Sequence, residues 1–155
     1  MRRRQDLTDN RIDEIFDKIN KPDMPHQGVF FDGQIYDAYT FVADLVRSAD
    51  RQIILIDNYV DDTVLTLLDK RNNSVSATIY TDRVSRNLQL DINRHNAQYA
   101  PISVKMYRMA HDRFLIIDDK VYHIGASIKD LGKKLFGFSL MRELTATELL
   151  TKIGV

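Results

Sequence analysis

The chain of 155 residues contains no Cys and no Trp, only three Pro and six Gly, and no excess of either charge, with 22 Lys and Arg against 22 Asp and Glu. Each shortage excludes something. Without cysteine there is no disulfide scaffold, thiolate zinc site or cysteine nucleophile, which fits a reducing, cytoplasmic setting. Zero net charge argues against nonspecific coating of nucleic acid, which needs many uncompensated cations. The longest apolar runs, Ile53–Ile56 and Phe114–Ile117, have four residues, far below the roughly 20 that span a bilayer. Met1 to Arg4 carry the charge of a signal peptide, but the polar stretch Gln5 to Asp9 follows where the apolar segment belongs. A chain of about 150 residues buries roughly two-thirds of its unfolded surface, so one domain holds a core without disulfide or metal.

The charges that are present are divided along the chain. Residues 1 to 63 hold 8 basic and 13 acidic side chains, a net of −5, whereas residues 64 to 134 hold 12 basic and 7 acidic, a net of +5. The second part can face an anion, although charges of both signs that simply solvate the surface are the commoner cause of a split this mild.

Ile12, Ile15, Phe16 and Ile19 recur at helical spacing, so residues 9 to 20 are expected to form a short amphipathic helix capped by Thr8 or Asp9. Lys21 to Gly28, with two prolines and a glycine, breaks it and reads as a linker, which divides the chain into an N-terminal appendage (1–28) and a domain (29–155). From Val29 strands and helices alternate. Val29–Phe31 and the Asp32–Gly33 turn precede a helix from Gln34 to Ala49. Ile53–Asp57 forms a buried strand, and Asp61–Asp62 cap a helix through Leu68. A strand over Val75–Tyr80, a polar helix over Val84–Gln98 and a strand over Val104–Tyr107 follow. Strands separated by helices predict an α/β class with a mostly parallel sheet flanked by helices. Phe114–Asp118, the turn Asp119–Lys120 and Val121–Gly125 are too close for a crossover and predict a C-terminal antiparallel hairpin. A strand over Phe136–Met141 and a helix over Thr145–Ile153 complete the chain.

The segment His111-Asp112-Arg113-Phe114-Leu115-Ile116-Ile117-Asp118, followed by Gly125-Ala126-Ser127, carries the most chemistry. In an extended segment His111 and Arg113 project to one side. A guanidinium grips two phosphodiester oxygens at once, and a neighbouring imidazole attacks phosphorus or moves a proton near neutral pH. Asp118 ends the strand, where the turn can return its carboxylate to orient a ring N–H or a cation. Ser127 adds a hydroxyl.

His, one residue, Arg, four residues, Asp and then six residues to Gly125 resembles the HKD motif of the phospholipase D superfamily. The likeness extends over residues 29 to 155, because helix 34–49, strand 53–56 and helix 61–68 match how those domains begin. The same stretch is similar to the C-terminal domain of phage-type DNA-binding regulators. The resemblance implies a phospholipase D-like sandwich in which one His forms a phosphohistidine and another protonates the leaving oxygen, with no cofactor or metal. Each site of that family uses two motifs and this chain has one, so a homodimer is implied with His111 of both copies at its centre. Two departures stand out. Arg113 replaces the usual Lys, a swap that changes shape and hydration. The family's Gly-Ser-x-Asn is altered too: in one register Ala126 and Ile128 take the Ser and Asn places, in the other Ser127 and Lys129 do.

Two readings follow from the likeness. The first is a metal-independent phosphodiesterase, a nuclease acting on DNA, with His111, Arg113 and Asp118 as catalytic residues and Ser127, Lys129 and Asp57 binding the substrate. The second is a silent dimerisation or ligand-binding module of a phage or bacterial regulator. A lipase is disfavoured because no Lys-rich interfacial helix is visible. Asp57-Asn58-Tyr59 ends the first long strand, where α/β ligand sites lie, but these are also ordinary helix-entry residues. His123 reads as a packed or edge histidine, His95 as solvated and His26 as part of the linker. Lys129, Lys133 and Lys134 beside Phe136 and Phe138 fit either a single-strand track or a solvated turn before a core strand. Metal binding is disfavoured because no two His share ligand spacing on one element.

Overall fold

In a computed structural model, which describes residues 24–155, the apolar pattern forms elements close to those expected. They are β1 (Gln27–Phe30), α1 (Ile35–Ser48), β2 (Gln52–Ile56), α2 (Asp62–Leu68), β3 (Ser76–Thr81), α3 (Arg86–Gln98), β4 (Ser103–Met106), β5 (Arg113–Ile117), β6 (Lys120–Ile124), a 3₁₀ turn (Ile128–Asp130), β7 (Phe136–Leu140) and α4 (Ala146–Ile153). The helix expected over residues 9 to 20 lies outside the described residues. β1 begins at Gln27, two residues before the expected strand start.

Local chemistry sets the helix starts. Asp61 accepts from Thr63 N at α2, Ser85 from Leu88 N at α3, and Thr145 and Glu148 form a capping box at α4. The strands assemble in the order β1-β7-β6-β5-β2-β3-β4. The expected parallel majority is not observed. Only β2–β3 and β3–β4 are parallel, whereas β2–β5, β5–β6, β6–β7 and β7–β1 are antiparallel. The cause is connection length: α2 and α3 provide crossovers, but residues 107–112 between β4 and β5 leave no room for a helix. The chain therefore returns antiparallel, beside β2.

The two sheet faces are covered unequally. On one, Phe41, Val42 and Leu45 of α1, Leu65 and Leu68 of α2 and Leu88 and Ile92 of α3 join Ile53, Leu55, Ile79, Leu115 and Ile117 in the main core. On the other, Ala146, Leu149 and Leu150 of α4 cover Ile54, Ile116 and Val121. Phe136 and Phe138 belong to the main core, both stacked with Phe30 and Phe138 tilted against Phe41, so they present no surface for nucleobases. His95 is not solvated. Its side chain is 8% exposed and Nε2 donates to Asp69 at 2.7 Å, because α3 lies against the end of α2. Arg71 beside it spends its N–H groups on the carbonyls of Leu68, Val75, Ala100 and Pro101.

The hairpin turns one residue earlier than expected, at Asp118–Asp119, with Ile117 facing Lys120. Asp118 has φ +56°, a left-handed conformation that Asp tolerates. Its carboxylate accepts from the backbone N–H groups of Asp50 (2.9 Å), Arg51 (2.7 Å) and Gln52 (3.1 Å), which lead into β2. Burial alone would raise the Asp118 pKa, but these three donors and the Arg51 charge outweigh it and hold the carboxyl below 3.8. Such a group stabilises the fold above its ordinary pKa and loses that contribution as pH falls through the depressed value. Asp118→Ala, which also places alanine at a positive φ, is expected to cost about 2–4 kcal/mol. Asp118→Asn should cost less and flatten the decline in stability below pH 3.8, as read by urea unfolding across pH.

Candidate active site

Asp57 follows Ile56 at the C-terminal end of β2, where the parallel part of the sheet meets the antiparallel part. Its side chain is fully buried. Such a carboxylate needs partners, and three donors supply them: Ser127 Oγ (3.1 Å) and Tyr59 N (3.0 Å) to Oδ1, and Ile128 N (2.9 Å) to Oδ2. Burial raises the Asp57 pKa, and the hydrogen bonds from Ile128, Tyr59 and Ser127 together with the Arg113 charge offset it only in part.

Arg113 opens β5 next to Asp57, because Ile56 pairs with Phe114. Its Nε donates to Ser127 Oγ at 3.0 Å and lies 3.8 Å from Asp57 Oδ1. The two terminal nitrogens of the guanidinium make no hydrogen bond among the described residues. Ser127 thus relays between Arg113 and Asp57, and of the two registers for the Gly-Ser-x-Asn stretch it is Ser127, not Ala126, whose hydroxyl reaches the site. The approach is close: a Cβ on Gly125 would stand 2.9 Å from Gly137 O, so only glycine lets β6 leave the sheet there. Lys129 sits in the following turn. Its ammonium bonds Asp130 at 3.0 Å, which raises its pKa, and the charges of Asp61 and Asp57 add to that.

His111 is exposed, two residues before Arg113, in the bend leading to β5, and forms no hydrogen bond or ion pair among the described residues. The structure therefore gathers Asp57, Ser127, Arg113 and Lys129, with His111 at the margin. Asp118 does not join them. Five strand residues put it about 17 Å from Arg113 along β5, where backbone N–H groups occupy its carboxylate, so it orients neither the His111 ring nor the cation.

Two contacts beside His111 were not legible in the sequence. Asn58 Nδ2 donates to Ala110 O at 2.9 Å, and His123 Nε2 donates to Asp112 Oδ2 at 2.7 Å. The second places His123 on a strand face toward Phe114, partly exposed rather than packed in the core. Its signal was the hairpin register: a turn at 118–119 sets Arg113 opposite Ile124 and brings Asp112 near His123.

No protein-family model matches the chain and no curated protein matches it in sequence. Solved structures match in shape. Nuc, a phospholipase D family member from Salmonella typhimurium, is 17% identical with a TM-score of 0.56 over 82% of this chain and 90% of that one. Phosphatidylserine synthase from Haemophilus influenzae is 18% identical with a TM-score of 0.58 over 93% of this chain. TrmBL2, an archaeal chromatin protein that binds DNA, is 12% identical with a TM-score of 0.50 over 91% of this chain. The chain spans 55% of TrmBL2 and 41% of the synthase. The chain has the fold seen in these solved structures, the phospholipase D family member Nuc among them.

The two buried-end carboxyls should titrate in opposite directions. Carboxyl ¹³C shifts are expected to give Asp57 a midpoint above 3.8 and Asp118 one below it, and the reverse order would contradict the geometry. A raised carboxyl makes stability fall as pH rises from 3.8 through its folded value. Asp57→Asn removes that slope, but its amide nitrogen confronts Ile128 N–H, at an expected cost of about 1–3 kcal/mol in denaturant unfolding.

Proposed function

We propose that the chain is a metal-independent phosphodiesterase, a nuclease acting on DNA, at a site shared by two copies. The observation that supports this reading is Arg113: held through Nε by Ser127 and Asp57, it has two terminal nitrogens without a hydrogen-bond partner among the described residues, a fork able to bind two oxygens of a phosphodiester. The cationic role that a metal plays elsewhere falls to Arg113, with Lys129 alongside. Ser127 and Asp57 hold the clamp rather than touch substrate.

His111 is the nucleophile. A ring nitrogen bonds to phosphorus, the bond to the leaving oxygen breaks, and that oxygen takes a proton from the partner's His111. Water then attacks the phosphohistidine and gives a proton to the partner's His111, which restores both rings. A single histidine in this position cannot serve both roles in one step, and this favours the homodimer. Tyr59 and Met109, 59% and 81% exposed, flank the residues joined by the Asn58–Ala110 bond and give the rim apolar surface for a second copy.

A second reading has two supports. Arg113 stands in place of lysine, and the DNA-binding chromatin protein TrmBL2 shares the fold. On that reading the clamp holds a DNA phosphate without cleaving it, as a module of a phage or bacterial regulator.

The readings separate in excess EDTA, with bis(p-nitrophenyl) phosphate and DNA as substrates. Turnover that persists with EDTA and disappears in His111→Ala supports the enzyme; no turnover, or turnover that EDTA abolishes, rejects it. Equal amounts of wild type and His111→Ala, after subunit exchange, should retain about one quarter of the activity if two copies share each site, and about one half if each copy acts alone.

A further inference from the structure

The segment that carries His111 is fixed on both sides of it. On the N-terminal side, Ala110 O accepts from Asn58 Nδ2 at 2.9 Å, and Asn58 directly follows the buried Asp57 at the end of β2. On the C-terminal side, Asp112 Oδ2 accepts from His123 Nε2 at 2.7 Å, and His123 is set in β6 opposite Phe114 with its ring edge-on to that phenyl, centroids 5.8 Å apart. Asp112 also accepts from Arg113 N at 3.2 Å, which ties its carboxylate to the start of β5. His111 itself has no hydrogen-bond partner among the described residues, so the direction of its ring follows from where residues 110 and 112 are held. Those two residues are anchored to different strands, β2 through Asn58 and β6 through His123.

We infer that Asn58 and His123 are positioning residues that aim His111 at the phosphate held by Arg113, an inference that rests on the phosphodiesterase reading. A structural role explains the His123–Asp112 contact less well. The two side chains are 34% and 50% exposed, and an ion pair or hydrogen bond so open to water adds little to stability. Its location explains it better: Asp112 lies between the attacking residue and the clamp, and a displacement of about 1 Å at a reacting atom costs on the order of a hundredfold in rate. Asn58 has a further mark of local purpose. Its Oδ1 is buried without a partner among the described residues while Nδ2 serves Ala110 O, so the amide is oriented for the loop at the expense of its own acceptor.

The test uses the full chain, with His123→Ala, Asn58→Ala and the conservative His123→Gln, whose side-chain amide can still donate to Asp112. Three readouts are taken: melting temperature, kcat and KM for bis(p-nitrophenyl) phosphate in EDTA, and the ¹H–¹³C resonance of the His111 ring, assigned with His111→Ala. The expected result for His123→Ala is a nearly unchanged melting temperature, a fall in kcat of about ten- to a hundredfold with KM little altered, and a shifted or broadened His111 resonance. His123→Gln should recover most of the rate and the resonance. Asn58→Ala should move the same resonance from the other side. A His111 resonance unmoved in both alanine variants overturns the inference, as does a rate loss that accompanies a matching loss of folded protein. If wild type turns over no phosphodiester, the phosphodiesterase reading fails by itself, and the His111 resonance still decides whether Asn58 and His123 set the ring.

Discussion

The carboxylate of Asp57 is the constraint on which the upper edge of this sheet depends. A buried negative charge is tolerated only with donors around it, and here they come from three places in the chain: Tyr59 N just beyond, Ile128 N and Ser127 Oγ seventy residues later, and at longer range the Arg113 guanidinium. Satisfying one carboxylate therefore fixes the end of β2, the exit from β6 and the first residue of β5 together. Ser127 has to donate to Asp57, which leaves its lone pairs for Arg113 Nε. The clamp geometry follows from the direction of one hydroxyl proton.

This arrangement changes the meaning of the charge division in the sequence. Among the described residues, acidic groups of the first part and basic groups of the second stand side by side. Asp57 and Asp61 from the first stand near Arg113 and Lys129 from the second, and Asp130 binds both Lys129 and Lys133. Asp130 already partners Lys129 and Lys133, so the charge around Asp57 is not a broad positive field. On the proposed reading, recognition would rest on the geometry of Arg113, in keeping with zero net charge, for which the counterion-release contribution to nucleic-acid binding is small.

Much of the fold was legible because its signals are local. Asp61 caps a helix where it was expected, Thr145 opens the last one, and the four-residue apolar runs are central strands. Strand direction was not local. The β4–β5 connection had to be measured against the length of a crossover, and the alternation of helix and strand concealed that it was too short. Similarly, Asp57 was readable as a strand-end carboxylate, while its partners 70 residues away were not. His95 looked solvated in the polar run Arg94-His95-Asn96, yet Asp69 at the C-terminal cap of α2 meets it. Placing the hairpin turn at 119–120 moved the register by two and set Asp112 opposite Ser127, which hid His123. The true turn is chosen by Asp118, through its positive φ and its three backbone donors.

Asp118 also shows what the spacing of the motif measures. In the sequence, His, Arg and Asp read as three members of one constellation. In the fold, Arg113 and Asp118 bracket a single five-residue strand and face different tasks at its two ends. Arg113 ties the upper end of β5 to Ser127 and Asp57 beyond β2. Asp118 ties the lower end to the backbone that enters β2 at residues 50–52. β5 is thus pinned to β2 twice, with Ile53–Ile56 and Phe114–Ile117 paired between the pins. The four residues separating Arg113 from Asp118 are the length of strand needed to cross the sheet, and Asp118 enforces that register from its lower end. A register slip of one residue would turn Phe114 toward the place of Arg113 and exchange the faces of every β5 side chain. Holding both ends of the strand is what keeps Arg113 and His111 on the same edge.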